Sequence, residues 1–246
     1  MSADSRTDRW LEQSRGEWND RAGYFDELSA RNAAGDDRKT ELDFVSSTLN
    51  LQPGSRLLDA GCGPGHFAIA FAERGCIVDG VDLSDEMIER ARANADAADV
   101  TIRFTTGDLA ALDAPDGAYD AIVARMALQF SPHLSAVLDE FERVAAPNAR
   151  LWLSVPGSLA PMYRDSWRRF VDPEPPAVTY LVPWELIRLI EERGWTVHEQ
   201  WGSFDTVTSR TGDGSNVASD LDIETLPLPL QQAAATVWNL VASSRR

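Results

Sequence analysis

The chain has 246 residues, of which 43% are hydrophobic and 25% are charged, so it can bury a sizeable core and does not have the composition of a disordered protein. Its formal net charge is −16, which opposes binding to nucleic acid and to anionic membrane surfaces. We therefore expect a single domain over residues 1–246 with no nucleic-acid or membrane partner.

The amino terminus, MSADSRTDRWLEQ, is polar and lacks the apolar core of a signal peptide, and no run of the chain reaches membrane-spanning length. These features predict a cytoplasmic protein. The two cysteines, Cys62 and Cys76, have no His or Cys cluster around them, so we predict no metal site.

Residues 1–40 precede the first strand pattern and include the stretch WLEQSRGEWNDRAGYFDEL, which is consistent with one or two amphipathic helices. Aromatic residues at helical spacing usually serve packing. Because these residues precede a predicted binding edge, we expect them to form a lid as well, with Phe25 facing a bound substrate.

Residues 41–208 alternate short β-rich runs with helical patterns. The runs, in order, are RLLDA, FAIAFAER, CIVDGVD, DEMIERARANA, IRFTTGD, YDAIVAR, LSAVLDEFERV and RLWLSV. Such alternation predicts right-handed βαβ units and an α/β, Rossmann-like, doubly wound sheet covered on both faces.

Residues 156–182 interrupt this alternation, and we expect them to form a helical insertion after the fifth strand. The pattern WELIRLIEERGW then restores a helix that Gly194 caps. The tail, residues 209–246, begins polar and ends in LQQAAATVWNLV, which predicts a helix. Four apolar residues share one face of it: Leu230, Ala234, Val237 and Val241. That face can pack on the body or pair with another copy.

The turn LLDAGCGPGH, residues 57–66, places three glycines directly after the first strand, which indicates close approach of a ligand to the backbone. A P-loop would end in Gly-Lys-Ser/Thr, which is absent here. A dinucleotide fingerprint requires a glycine where His66 stands. The turn therefore disfavours both phosphate-binding interpretations.

Two further strand ends carry acids. Asp82 ends the second strand, seventeen residues after Gly65, where a carboxylate can accept the hydroxyls of a ribose. Asp108 and the Leu109 N–H follow the third strand and can bind an adenine. Because Ser84 or Asp85 can cap the next helix, Asp82 is free for a ligand. Together these strand ends predict an adenosine cofactor.

From Glu41 to Val207 the chain resembles the class I S-adenosylmethionine-dependent methyltransferases. The segments that carry the resemblance are LLDAGCGPG, VDLS, TTGDL, YDAIVARMALQF and RLWLSVPG. The resemblance implies S-adenosylmethionine as cofactor and a seven-stranded sheet. It also implies an antiparallel last hairpin, which we expect from TVHEQWG and the residues that follow it.

The resemblance also implies a role for each motif residue. The methionine part would be held by Asp59 and by the backbone of Gly61, Gly63 and Gly65. The ribose would be held by Asp82 and the adenine by Asp108 and Leu109, with Leu83 and Met87 packed beside the rings. The methionine ammonium and the transferred methyl would lie near Ala124 and Arg125.

Methyl transfer from a sulfonium is an in-line displacement, and a base is needed only when the acceptor is protonated. Many relatives carry a His pair after the fourth strand, whereas this chain has ALQF there, with Gln129 as the candidate catalytic residue. His133 is the nearest substitute base. His66 can line the site, and His198 has no assigned role.

The insertion carries candidate substrate contacts in MYRDSWRRF. Arg164 and Arg168 are spaced to grip an anion, and Tyr163 and Trp167 add apolar surface. Alternatively, Asp165 and nearby glutamates neutralise the arginines on a solvated face. Both interpretations are open.

Together these features predict a methyltransferase for a small, anionic metabolite. A likeness of MALQF and PGSLAPMYRDSWRRF to the malonyl-acyl-carrier-protein O-methyltransferases offers a second acceptor. An adenosine-dinucleotide oxidoreductase is disfavoured by the turn spacing, and a non-catalytic cofactor-binding regulator is the third class. A homodimer could form through the lid or the tail helix.

Overall fold

The computed structural model describes residues 3–33, 36–164, 166–172, 177–203 and 226–244. Strands of this part are β1 (Arg56–Ala60), β2 (Ile77–Asp82), β3 (Arg103–Thr106), β4 (Tyr119–Arg125), β5 (Ala145–Pro156), β6 (Trp195–Ser203) and β7 (Val237–Ser244). Its α-helices are α1 (Ala3–Ala33), α2 (Asp36–Thr48), α3 (His66–Ala72), α4 (Asp85–Ala97), α5 (Leu134–Val144), α6 (Pro183–Glu192) and α7 (Leu228–Ala234).

The seven strands form one sheet in the order β3-β2-β1-β4-β5-β7-β6, which confirms the predicted α/β architecture. Strands β1 to β5 run parallel, and β7 runs antiparallel to both β5 and β6. The strand order reverses between β1 and β4. In open α/β sheets, ligands bind beyond the carboxyl ends of the strands at such a reversal.

Each face of the sheet carries its own hydrophobic core. Leu57 of β1 packs on the face covered by α2, α3 and α4, whereas Leu58 packs on the face covered by α5 and α6. Successive side chains of a strand point to opposite faces, so the apolar runs of β1 and β4 supply both cores.

The amino-terminal segment differs from its predicted boundaries. Residues 3–33 form one long helix, α1, and α2 crosses the predicted lid boundary at residue 40. Leu42 and Val45 of α2 are buried in the core, because they pack on the same face of the sheet as Leu57. Helix α2 is therefore part of the core, and α1 is the lid helix.

The predicted tail helix is wrong beyond Ala234. Residues 237–244 form β7, which lies between β5 and β6 and pairs antiparallel with both, so the tail supplies the second strand of the expected antiparallel pair with β6. Val241 is fully buried within the sheet, and this position excludes it from pairing with another copy. The open edges of β5 and β6 supply backbone partners that outweigh the local helical pattern.

The predicted helical insertion contains only short helices in its described part. Its described residues form two short 3₁₀ helices, Pro161–Tyr163 and Ser166–Phe170. Asp165, the expected neutralising acid, lies outside the described residues, as do residues 173–176 and the polar start of the tail, residues 204–225.

Over the described ranges, no helix combines the length and apolarity that crossing a membrane requires. Within the same ranges, no group of three or more His, Cys, Asp or Glu side chains is arranged to hold a metal ion.

Candidate functional site

The three glycines of the turn between β1 and α3 have different surroundings. A Cβ on Gly61 would collide with Ala127, and one on Gly65 would lie 3.0 Å from both Ala91 and Phe104. At Gly63 the nearest atom to such a Cβ would be the Met87 Sδ, 4.0 Å away. Gly61 and Gly65 therefore allow close packing of the protein, and Gly63 is the glycine with free space above it.

Asp82 ties the glycine turn to the end of β2. Its Oδ2 accepts the Gly63 N–H at 2.9 Å, and its Oδ1 accepts the Ser84 N–H at 2.9 Å. Burial raises the pKa of Asp82, and these backbone N–H groups oppose the rise. The Ser84 hydroxyl accepts the Met87 N–H and caps α4, as predicted, so Asp82 does not serve as the helix cap.

Asp59, at the carboxyl end of β1, is a buried acid whose Oδ2 has no hydrogen-bond partner among the described residues. Burial, followed by the negative charge of Asp82, raises its pKa to about 7, against the opposing effects of the Ala68 N–H and the Arg125 charge. A buried carboxylate with an open oxygen favours a cationic ligand.

The end of β3 lies beside Asp82. The Gly107 N–H donates to the Asp82 carbonyl at 2.9 Å, and Asp108 accepts the Ala110 N–H with Oδ1 at 3.0 Å. Asp108, Leu109 and Leu83 are half-buried at this edge. The structure thus brings the predicted ribose and adenine residues together at adjacent strand ends.

Arg125 ends β4 on the same face of the sheet as Asp59. Its guanidinium lies 4.7 Å from the centroid of the Phe67 ring and 3.6 Å from Oε1 of Glu41. Its buried Nε has no hydrogen-bond partner among the described residues. Because a guanidinium repels an ammonium group, this site is chemically suited to a carboxylate instead.

Gln129 is fully buried in the short helix that follows β4. Its Nε2 donates to the Met126 carbonyl at 2.9 Å, which leaves Oε1 without a donor in the described part of the chain. Met126 holds a left-handed backbone conformation, with φ of 54°, and such strain in a non-glycine residue often marks a functional site.

The His133 ring contacts the lid helix α1. This exposed ring bonds the Thr7 hydroxyl of α1 at 2.7 Å, at the start of α5. The predicted role as a base stays a prediction, and this contact gives His133 a structural role between α1 and α5. His198, to which no role was assigned, bonds Ser243 at 2.6 Å.

The lid helix α1 crosses the carboxyl ends of β2 and β4. Trp10 donates to the Phe130 carbonyl beyond β4 at 3.1 Å, and Arg15 donates to the Leu83 carbonyl beyond β2 at 3.2 Å. Asn19 accepts the Ser84 hydroxyl at 2.6 Å. Helix α1 therefore covers the edge that carries the candidate site.

Aromatic rings line the lid where it meets the end of β4. The Trp18 ring lies 5.0 Å from the Phe25 ring and 4.7 Å from the Phe130 ring, with edge-to-face geometry in both pairs. Phe25, the predicted substrate contact, thus belongs to an apolar cluster with Trp18 and Phe130. Sequence reasoning placed Trp18 among the lid aromatics but did not identify Phe130 as their partner.

The carboxyl-terminal part of the insertion contacts the candidate site. Thr179 donates its N–H to the Gln129 carbonyl at 2.6 Å, and Tyr163 is buried with its hydroxyl on the Leu181 carbonyl at 2.7 Å. Arg164 is exposed, and Trp167 has 58% of its surface exposed.

The structure provides a neutralising partner for one of the insertion arginines. Arg168 pairs with Asp172 at 2.8 Å, an acid that sequence reasoning did not identify as its partner. This ion pair favours the interpretation in which an acid neutralises Arg168 on a solvated face of the protein. It leaves Arg164 as the insertion cation more suited to meet an anion.

A family model for a methyltransferase domain matches residues 57–148. The 27-O-demethylrifamycin SV methyltransferase of Amycolatopsis mediterranei is 37% identical over 134 residues, which are 53% of this chain and 48% of that protein. The malonyl-[acyl-carrier protein] O-methyltransferase of Serratia marcescens is 36% identical over 119 residues, which are 48% and 45% of the two chains. The chain thus spans about half the length of the curated relatives it matches.

The fold has a close counterpart among solved structures. Magnesium protoporphyrin IX methyltransferase from Synechocystis PCC 6803, solved with bound SAH (S-adenosylhomocysteine), superposes with a TM-score of 0.63 at 19% identity. The superposition covers 94% of this chain and 97% of that one. At this identity the likeness concerns the fold, and the reaction has to be argued from the site residues.

Proposed function

We propose that this chain, whose core belongs to the class I S-adenosylmethionine-dependent methyltransferase family, transfers a methyl group from S-adenosylmethionine to a small-molecule acceptor. The observation that carries the proposal is the pairing of Asp82 with the Gly63 N–H at adjacent strand ends, beside the open carboxylate oxygen of Asp59. A phosphate-free, cationic adenosine cofactor fits the buried Asp59 and the half-buried Asp82 at one edge, whereas a phosphate would be repelled.

The residues present fit each part of that cofactor. The open Oδ2 of Asp59 suits its ammonium group, and the buried Nε of Arg125 suits its carboxylate. Asp82 would accept the ribose hydroxyls, and Asp108 with the Leu109 N–H would bind the adenine. This assignment moves Arg125 from the ammonium, where sequence reasoning placed it, to the carboxylate.

Bound S-adenosylmethionine supplies a methyl group on a sulfonium whose leaving group needs no activation. The chain's own contribution is alignment and exclusion of water. Gln129 cannot act as a base, because a neutral amide does not take up a proton at neutral pH. Its free Oε1 would instead orient a nucleophile, while Trp18, Phe25 and Phe130 shield the reacting atoms.

For the acceptor, we propose a small anionic metabolite held by the insertion. Arg164 is the candidate anion contact, with Tyr163 and Trp167 as apolar surface, and Arg168 contributes only if its pair with Asp172 opens. The position of the insertion supports this proposal, because the Thr179 N–H of the insertion donates to the Gln129 carbonyl.

A second candidate acceptor is malonyl-[acyl-carrier protein], the substrate that the name of the Serratia relative specifies. The observation that favours it is Gln129 in place of a base, since a carboxylate is already ionised and needs none. Turnover of malonyl-[acyl-carrier protein], but not of free carboxylic acids, would select this candidate. Turnover of any acceptor would exclude a non-catalytic binding role.

The experiment that tests the cofactor assignment is calorimetric titration of the purified protein with SAH and, in parallel, with NAD. We expect SAH alone to bind. We expect Asp82→Ala to weaken it about 10- to 100-fold, because a hydrogen bond to a charged group contributes roughly 1.5–3 kcal/mol.

Asp96→Ala, a change at an exposed acid of α4, is the matched control and should leave the affinity for SAH unchanged. Binding of NAD in place of SAH, or equal SAH affinity in Asp82→Ala and wild type, would contradict the proposed site.

A further inference from the structure

Asp26, on the lid helix α1, gathers three donors around one carboxylate. Its Oδ1 lies 2.9 Å from the His66 Nε2 and accepts the Asn94 Nδ2 at 2.9 Å, and its Oδ2 accepts the Arg90 Nη1 at 3.4 Å. Only 20% of the Asp26 side chain is exposed, and 16% of the His66 side chain. The partners lie 40 to 68 positions along the chain, so no local pattern in the sequence indicated this cluster.

Two of these donors also hold the glycine turn. His66 directly follows Gly65 and is the first residue of α3. The Asn94 amide that reaches Asp26 also donates to the Pro64 carbonyl at 2.9 Å. Asp26 is thus connected to the turn by one hydrogen bond through His66 and by two successive hydrogen bonds through Asn94.

The charge balance keeps Asp26 ionised. Burial raises the pKa of Asp26, but the hydrogen bonds from Asn94, His66 and Arg90, together with the His66 charge, outweigh burial and hold the pKa below its ordinary value. The ionised carboxylate strengthens each of these bonds.

The glycine turn is held from two sides. Asp82 binds the Gly63 N–H from the β2 side, while Asn94 and His66 engage Pro64 and the start of α3 from the lid side. Gly63, the glycine with free space above it, lies between these two anchors. A shift of α1 would therefore change the anchoring of the turn.

We propose that Asp26 is a positioning residue that couples closure of the lid helix to the shape of the glycine turn, so that cofactor release requires the Asp26 cluster to break. This inference rests on the proposed function. It follows from geometry, because α1 also covers Leu83 and Ser84, which flank the proposed ribose site. A cofactor under α1 leaves only when α1 moves away, and Asp26 moves with it.

The test compares Asp26→Ala with Asp20→Ala, a matched change at an exposed acid of the same helix. We expect Asp26→Ala to release SAH about tenfold faster in stopped-flow chase experiments, since a charge-assisted contact is lost. It should raise the KM for S-adenosylmethionine more than it changes kcat. Asp20→Ala should match wild type in all three quantities.

The conservative variant Asp26→Asn keeps the Oδ1 acceptor and should fall between wild type and Asp26→Ala. If Asp26→Ala does not fold, Asn94→Ala removes the bridge to Pro64 and should also speed SAH release. A lowered melting temperature with an unchanged SAH release rate would overturn the proposal, because it would show a role in stability alone. Failure of the wild type to bind SAH would instead contradict the proposed function.

Discussion

The carboxyl of Asp59 has a pKa of about 7, because burial and the charge of Asp82 disfavour its ionised form. A cationic ligand beside its open oxygen favours ionisation and lowers the pKa. We therefore predict that SAH binding at pH 7 releases a proton and that affinity falls as the pH is lowered below 7. Titrations in two buffers of different ionisation enthalpy measure this proton release.

Asp59→Asn provides the control, since an amide does not titrate, and it should abolish the buffer dependence. The stability of the cofactor-free protein has the opposite pH dependence. A carboxyl with a raised folded pKa costs stability as the pH rises from about 4 to about 7, at roughly 1.4 kcal/mol for each unit of difference. Equal proton release from Asp59→Asn and wild type would show that another group titrates.

Alanine substitution at two glycines of the turn should have different main effects, a loss of stability at Gly61 and a loss of SAH affinity at Gly63. Gly61→Ala places a methyl against Ala127 and should lower stability by about 2–4 kcal/mol, from left-handed strain plus overpacking. Gly63→Ala meets no atom closer than 4.0 Å, so only the strain of roughly 1–2 kcal/mol applies, while its methyl enters the cofactor space.

We therefore expect Gly63→Ala to lose SAH affinity with the smaller drop in thermal stability. Thermal unfolding and calorimetry on the same two variants separate the effects. Unchanged SAH affinity in Gly63→Ala would mean that the space above Gly63 does not hold the cofactor.

At the scale of elements, strand β7 connects β6 to the rest of the sheet. It lies between β5 and β6, and β6 has no other strand neighbour in the described part of the chain. Its Asn239 also accepts the indole N–H of buried Trp152 at 3.2 Å. A chain truncated after Thr236 should therefore lose cooperative thermal unfolding, as circular dichroism would show.

A truncation that removes only Arg245 and Arg246 is the control, because it leaves β7 complete. A cooperative transition in the longer truncation would contradict the role of β7. The same element shows why the tail was misread. Val237 and Val241 fit one helical face, but β-branched residues beside two open strand edges gain more from the ladder.

At the scale of the whole molecule, the topology explains why the candidate site assembles. Strands β1 to β4 run parallel, so residues that follow β1, β2 and β4 meet at one edge although they lie far apart in sequence. Helix α1 crosses that edge and touches residues after each of the three strands. The positions of the residues proposed to bind the cofactor were predictable because each directly follows or ends a recognisable strand.

The amino-acid sequence by itself determined the α/β class, the parallel strands and the acids at Asp59, Asp82 and Asp108. These depend on local patterns and on the rule that parallel strands end at one edge. Only the tertiary structure decided the strand β7 and the contacts of Asp26 with His66 and Asn94. Open strand edges and packing across 40 or more positions create those contacts, and no local period encodes them.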